Sequence, residues 1–242
     1  MLGSEVWSRS EVGLLVSAAR RAPVYGADHP WVLEPHGGEM RLYELPHYSL
    51  RDRLGLDGLL SCGAVLHNVH LALRHLGLRV VVDFPHDVHR PDLLAVIRTD
   101  GSEPPTEEEI RCYGAIEDAG SPGEVDLGAV IAANPWPGTD LAVLPVGLDL
   151  VRGHEALVVL TPGDTRQDDL VAGAALQAAR PAARARGLRT RPMFRPLHDL
   201  AVRAALVERF ALPGHPRALL EIDAGPRMIH GRTSQEIRNT SS

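Results

Sequence analysis

SCGAVLHNVHLALRHLGLR, residues 61–79, decides how the chain is read, because a second copy follows it. From Ala172 to Arg189 the chain reads AGAALQAARPAARARGLR. The two stretches align without a gap at an offset of 110 residues, and 8 of the 17 positions counted from Gly63 are identical. Gly63-Ala64 matches Gly173-Ala174, Leu66 matches Leu176, Ala72 matches Ala182 and Arg74 matches Arg184. Gly77-Leu78-Arg79 matches Gly187-Leu188-Arg189. Each copy reads as a small-residue helix start, a helix, a glycine just past its end and then a strand. An Ala- and Arg-rich chain also repeats by composition alone. The gapless spacing between the flanking glycines favours an internal duplication, two related halves in one chain.

The chain has 242 residues, enough for one large domain or two small ones, and 44% of them are hydrophobic. A packed globule follows. The net charge is −6, so the basic footprint of a nucleic-acid binder is missing. All 25 cationic residues are arginine, which fits a GC-rich coding bias better than a function. Cys62 and Cys112 do not make a disulfide framework, and Cys62 reads as a buried free thiol. No run approaches the ~20 apolar residues that span a bilayer, and the N-terminus has no signal-peptide pattern. The expectation is a soluble cytoplasmic protein with neither nucleic acid nor membrane as partner.

In chain order, Ser10 caps an amphipathic helix that runs to Arg20 and that Pro23 stops. Trp31 to Glu34 and Met40 to Leu45 form a hairpin around Gly37-Gly38. Tyr48 to Leu60 is a polar turn into the helix that starts near Ser61. Arg79 to Phe84 and Leu93 to Arg98 are strands. Residues 99–106 are an acidic, Pro-rich loop, and Glu107 to Glu117 is a short helix. Residues 118–140 are dense in Gly, Pro and Asp and read as an irregular excursion with one helix at Leu127 to Ala133. Leu141 to Val146 is a weak strand, and Glu155 to Thr161 is the best central strand. Pro181 should kink the second repeat helix or displace its boundary. Arg191 to Leu197 is extended, His198 to Phe210 is amphipathic helix and Arg217 to Ile222 is a last strand. The adjacent hairpin strands point to α+β with a central, mostly antiparallel sheet flanked by helices. The organisation is a first half over 1–100, a connecting or lid segment over 101–153 and a second half with its tail over 154–242.

Nucleotide loops of the GxGxxG and GxxxxGKS types are absent, as is a GxSxG elbow. His86 and His89, and His67 and His70, lack a third ligand at metal spacing, so no metal is expected. His29-Pro30-Trp31, at a loop-to-strand joint near Arg20-Arg21, could frame a ring-shaped ligand with an anionic tail. A core tryptophan anchoring the first helix fits the same residues equally well.

Three stretches together resemble the Acg-like branch of the nitroreductase superfamily. They are Ala18 to Pro23 followed by Pro30-Trp31; Ser61 to Leu66 with Gly77-Leu78; and Leu157 to Thr161 through Gly163-Asp164, Gly173 and Gly187-Leu188 to Pro196-Leu197. Gly231-Arg232-Thr233 sits where the family has a "PRRP" motif. The resemblance covers residues 10–100 and 155–238. It implies an α+β fold in which a nitroreductase dimer is fused into one chain, which accounts for the repeat. It also implies FMN as cofactor and NAD(P)H as hydride donor to an electron-poor acceptor. Arg20, Arg21, His29, Trp31 and Arg232 are the flavin-binding candidates; no catalytic residue is assigned.

The departures point elsewhere. The family's RAPSxHNxQPW reads RAPVYGADHPW here, so Val24, Gly26, Ala27 and His29 replace its Ser, His, Asn and Gln. Tyr113-Gly114-Ala115-Ile116 matches the start of a family motif whose arginines hold the FMN phosphate, yet Glu117-Asp118 follow. Carboxylates repel a phosphate. Two readings stand: a flavin oxidoreductase, or a degenerate relative that has lost FMN and binds another small molecule or a partner protein. The shortened middle of the chain also points to a homodimer that covers the apolar surface left open.

Overall fold

The structure, a computed structural model, describes residues 7–25, 29–45, 55–117, 126–145 and 155–223. Its architecture is α+β, with two four-stranded antiparallel sheets rather than one central sheet. The first sheet takes β1 (Trp31–His36), β2 (Glu39–Glu44), β3 (Leu78–Asp83) and β4 (Leu93–Ser102) in the order β1-β2-β4-β3. The second takes β5 (Asp140–Leu144), β6 (Glu155–Thr161), β7 (Arg189–Met193) and β8 (His215–Asp223) in the order β5-β6-β8-β7. Numbered within its own sheet, each reads 1-2-4-3. The segment read as a connector thus supplies β5, an edge strand of the second sheet.

Between the sheets lie α2 (Leu56–His75) and α5 (Arg166–Arg184), whose mutual contact is the most extensive in the molecule. Helix α2 is apolar all round because it is covered all round, by α1 (Arg9–Arg20), α3 (Glu107–Glu117), α5 and the first sheet. Among the described residues α2 is the one helix long and apolar enough to cross a membrane, and it is spent instead as the core of the fold. It begins at Leu56, five residues before the sequence reading placed it. Gly77 and Gly187 follow the two helices with φ of 76° and 72°, the left-handed conformation that glycine adopts without a Cβ clash. Their N–H groups bond to Arg74 O and Arg184 O, both at 2.9 Å.

The two sheets differ in cover. On β3 burial alternates strictly, and charged side chains occupy the open face of the first sheet: Arg98 pairs there with Glu39 and Asp83. Strand β6 is buried on both faces. Leu157 and Val159 join the main core with α5, whereas Ala156, Val158 and Leu160 meet Leu197 and Leu206 on the far side. That far side is covered by a 3-10 turn (Arg195–His198) and α6 (Leu200–Phe210). Leu200, the first residue of α6, is exposed. The helix α4 (Leu127–Ala132) falls where the sequence placed it. Pro181 sits in the last turn of α5 without displacing its end, and Ala185 N–H closes that turn on Pro181 O at 2.8 Å.

Candidate functional site

Helix α1 starts two residues earlier than its sequence signal suggested. Ser8 caps it, accepting from Glu11 N–H, while the Glu11 carboxylate accepts from Ser8 N–H at 2.8 Å. This reciprocal box places Trp7 at the position before the cap, where an apolar residue packs against the first turn. Trp7 and Val12 line one open groove of about 730 Å³ together with Arg9, Val16, Arg20 and Arg21. No acid lines it.

Of the five residues expected to hold flavin, the four that are described do not converge. Arg20 and Arg21 are exposed at the end of α1 and face this groove, but neither His29 nor Trp31 lines it. His29 is exposed, its ring edge-on to Trp31 at 5.9 Å. The Trp31 indole packs on the core, with a buried N–H that has no hydrogen-bond partner. Arg232 lies outside the described residues, as do Gly26, Ala27 and Asp118.

Tyr25, which the sequence reading passed over, takes a central place. It is 9% exposed, its N–H donates to Ser61 Oγ at 2.9 Å, and its ring lies 4.9 Å from that of Phe194.

Around α3 the cations are already neutralised. Arg74, 7% exposed, donates to Glu109 Oε1 at 2.7 Å, to Glu103 Oε2 at 3.0 Å and to the carbonyls of Leu78, Glu103 and Pro104. Arg186 pairs with Glu108 at 2.7 Å. Both carboxyls are held below their ordinary range against the opposing effect of burial. Glu109 therefore clamps α3 to α2, and Glu108 clamps it to the turn that follows α5. Tyr113, in the matched YxAI segment, stacks on His75 at 4.1 Å.

A second polar cluster joins the start of α2 to the second sheet. Arg217, 5% exposed, donates to Thr161 Oγ1 at 3.0 Å and to Gly163 O at 2.7 Å, and pairs with Asp164 and Asp169. His198 Nε2 lies 3.2 Å from Asp57 Oδ1. Burial pushes the Asp169 carboxyl up to about 6. The void at this cluster measures about 10 Å³, room for a single water and no substrate. A cleft of about 280 Å³ between the β3–β4 connection and α5 is mainly apolar, and its Arg166 is already paired with Glu44.

On the other side of α2, Trp136 Nε1–H donates to His67 Nδ1 at 3.1 Å, which fixes His67 as neutral with its proton on Nε2. Burial pushes His67 down to about 3 and His70 down to about 4. Among the described residues no three His, Cys, Asp or Glu side chains are grouped to hold a metal. Cys62 is buried and donates to Pro30 O at 3.5 Å; burial raises its pKa far above the ordinary thiol range. Neither a protein-family model nor a curated protein sequence matches this chain.

Proposed function

We propose that this chain is a nitroreductase-like protein of two related halves that works in the cytoplasm as a ligand- or partner-binding protein and has given up flavin chemistry. The two halves are supported by the shared 1-2-4-3 strand order and by the Gly77 and Gly187 turns, which stand 110 residues apart and close on equivalent arginines. The observation that carries the functional reading is the Tyr25–Phe194 packing, which fills with side chains the ground where the RAP loop would receive a flat ring. The anionic end of FMN fares no better. Arg74 and Arg186 are committed to Glu103, Glu109 and Glu108, and α3 ends on an acid, Glu117. The residues present do not fit FMN, and no hydride-transfer step is derived for them.

One observation favours the oxidoreductase reading: the partnerless, buried Trp31 N–H beside His29 would suit a flavin carbonyl. A visible spectrum of the purified protein, followed by FMN titration with fluorescence detection, separates the two. A colourless protein that leaves FMN fluorescence unchanged supports the binding-protein reading. A yellow protein, or saturable quenching followed by NADH- or NADPH-dependent turnover, replaces it with a flavin oxidoreductase.

A further inference from the structure

We infer that the groove along α1 is a docking site for an acidic amphipathic helix of a partner protein; this rests on the binding-protein reading. Arg9, Val12, Val16 and Arg20 recur at helical spacing, so they form one stripe of α1. Gly13 and Ser17 lie between them and lower its floor; a Cβ at Gly13 would meet nothing within 4 Å. Trp7 raises one wall, and its indole N–H has no hydrogen-bond partner. The stripe has an apolar middle and a guanidinium at each end, about 16 Å apart at 1.5 Å per residue.

Of the two charges on this stripe, Arg20 complements the helix dipole in the last turn of α1, but Arg9 does not serve the fold. Arg9 occupies the first turn of α1, where a cation opposes the helix dipole. Arg9 and Arg20 form no ion pair with any described residue, although acids outnumber bases by 31 to 25. Ten other arginines are paired. The nearest acid on the helix, Glu11, is turned back onto Ser8 and does not line the groove. A cationic groove in an acidic protein calls for an acidic occupant.

Shape and sign narrow the occupant further. Among the described residues the groove is built from one helix and one indole and is open, so it would leave much of a small molecule in water, whereas small-molecule sites bury most of their ligand. A helix laid along it buries its own apolar stripe against Val12 and Val16, with small residues allowing close approach. A second copy of α1 does not fit: antiparallel pairing sets Arg9 against Arg20, and parallel pairing sets each against itself. The chain's own 224–242 segment carries Arg227, Arg232 and Arg238 against one acid, Glu236, and has the wrong sign too.

The test uses the full-length chain and two synthetic helical peptides. One carries a Leu/Ala stripe with Glu at both ends of it; the other has Lys at every Glu position. Binding is read by calorimetry and tryptophan fluorescence at two salt concentrations. The Glu peptide should bind at least tenfold tighter than the Lys peptide and weaken with salt. Arg9→Glu combined with Arg20→Glu should weaken it at least tenfold; an acid in the first turn favours α1 and one in the last turn opposes it, so the two effects offset and the fold should persist. Gly13→Leu leaves every charge in place and blocks the floor, and it should weaken binding as strongly. Equal binding of both peptides, no binding of either, or indifference to Gly13→Leu overturns the inference. So does capture by phosphatidylserine vesicles without peptide selectivity, or a dimer that Arg9→Glu dissociates. The FMN titration reads the underlying functional proposal separately: a yellow protein sinks that proposal, and a failed peptide titration with a colourless protein sinks the docking site alone.

Discussion

Gly63 of α2 and Gly173 of α5 each lie on the backbone of the opposite helix, one turn before the other glycine. A Cβ at Gly63 would fall 2.0 Å from Leu170 O, and a Cβ at Gly173 would fall 2.3 Å from Leu60 O. Leu60 and Leu170 are separated by the same 110 residues as the glycines, so the contact is reciprocal, as at a two-fold interface between identical subunits. The sequence match between the two stretches and the helix crossing agree: each stretch keeps glycine where the opposite backbone is seated.

Gly63→Ala and Gly173→Ala should each destabilise the protein by about 3 kcal/mol, because backbone rather than a movable side chain meets the new methyl. Gly13→Ala is the control, since its methyl enters open space and should stabilise α1 by up to about 1 kcal/mol. Urea unfolding midpoints of the three variants decide. Gly63→Ala as stable as Gly13→Ala would refute the close crossing.

How much of this was legible in the sequence depends on how local each signal is. Helix α3 and strand β6 have the bounds read from the chain, because an acidic first turn and a short apolar run are self-contained signals. The cap of α1 was also written locally: Ser8 and Glu11 have capping-box spacing, and taking Ser10 for the cap hid Trp7 and Arg9. The start of α2 was not legible, because a helix buried all round has no polar side to mark where its turns begin. Two sheets rather than one could not be read either, since the split depends on which distant strands pair. The inward turn of Tyr25 onto Phe194 joins residues 169 positions apart, and no spacing announces it.

Arg74→Ala should destabilise by about 3 kcal/mol, because it strips the partners from Glu109 and from three carbonyls at once. Arg74→Lys should recover little, since one ammonium cannot serve Glu109, Glu103 and those carbonyls together. Arg184, the matching residue of the second copy, is half-buried, and Arg184→Ala should cost well under 1 kcal/mol. Thermal melts of the three variants test the asymmetry. An equal loss at Arg74 and Arg184 would show that the α3 clamp contributes nothing.

Asp169→Asn should stabilise the protein at alkaline pH. The folded carboxyl titrates near 6, above its ordinary value of 3.8, because it is buried. A raised carboxyl favours folding fully below the unfolded pKa and loses that contribution as pH rises through 6. Above that point the wild type holds an unwelcome charge that the amide lacks, so the variant should gain about 2 kcal/mol at pH 8 and nothing at pH 4. Urea midpoints at the two pH values read the difference; a gain that is flat with pH would mean the carboxyl does not titrate in this window.

His67 and His70 should make the fold sensitive to acid in the opposite sense. Both are buried and neutral, with folded values near 3 and 4 against 6.5 when free. Below pH 6.5 the unfolded chain binds protons that the folded chain refuses, so stability falls as the pH drops from 6.5 towards 4. Each imidazole contributes a slope of up to about 1.4 kcal/mol per pH unit, against which Asp169 works between 6 and 3.8. Protonating His67 would place an N–H where the Trp136 indole N–H already points, so the segment carrying Trp136 should loosen first. His67→Gln keeps an acceptor for that indole and removes the titration. It should flatten the pH dependence of the urea midpoint while leaving the midpoint at pH 7.5 within about 1 kcal/mol of wild type. An unchanged slope between pH 7 and 4.5 would show that the His67–Trp136 pair does not govern acid stability.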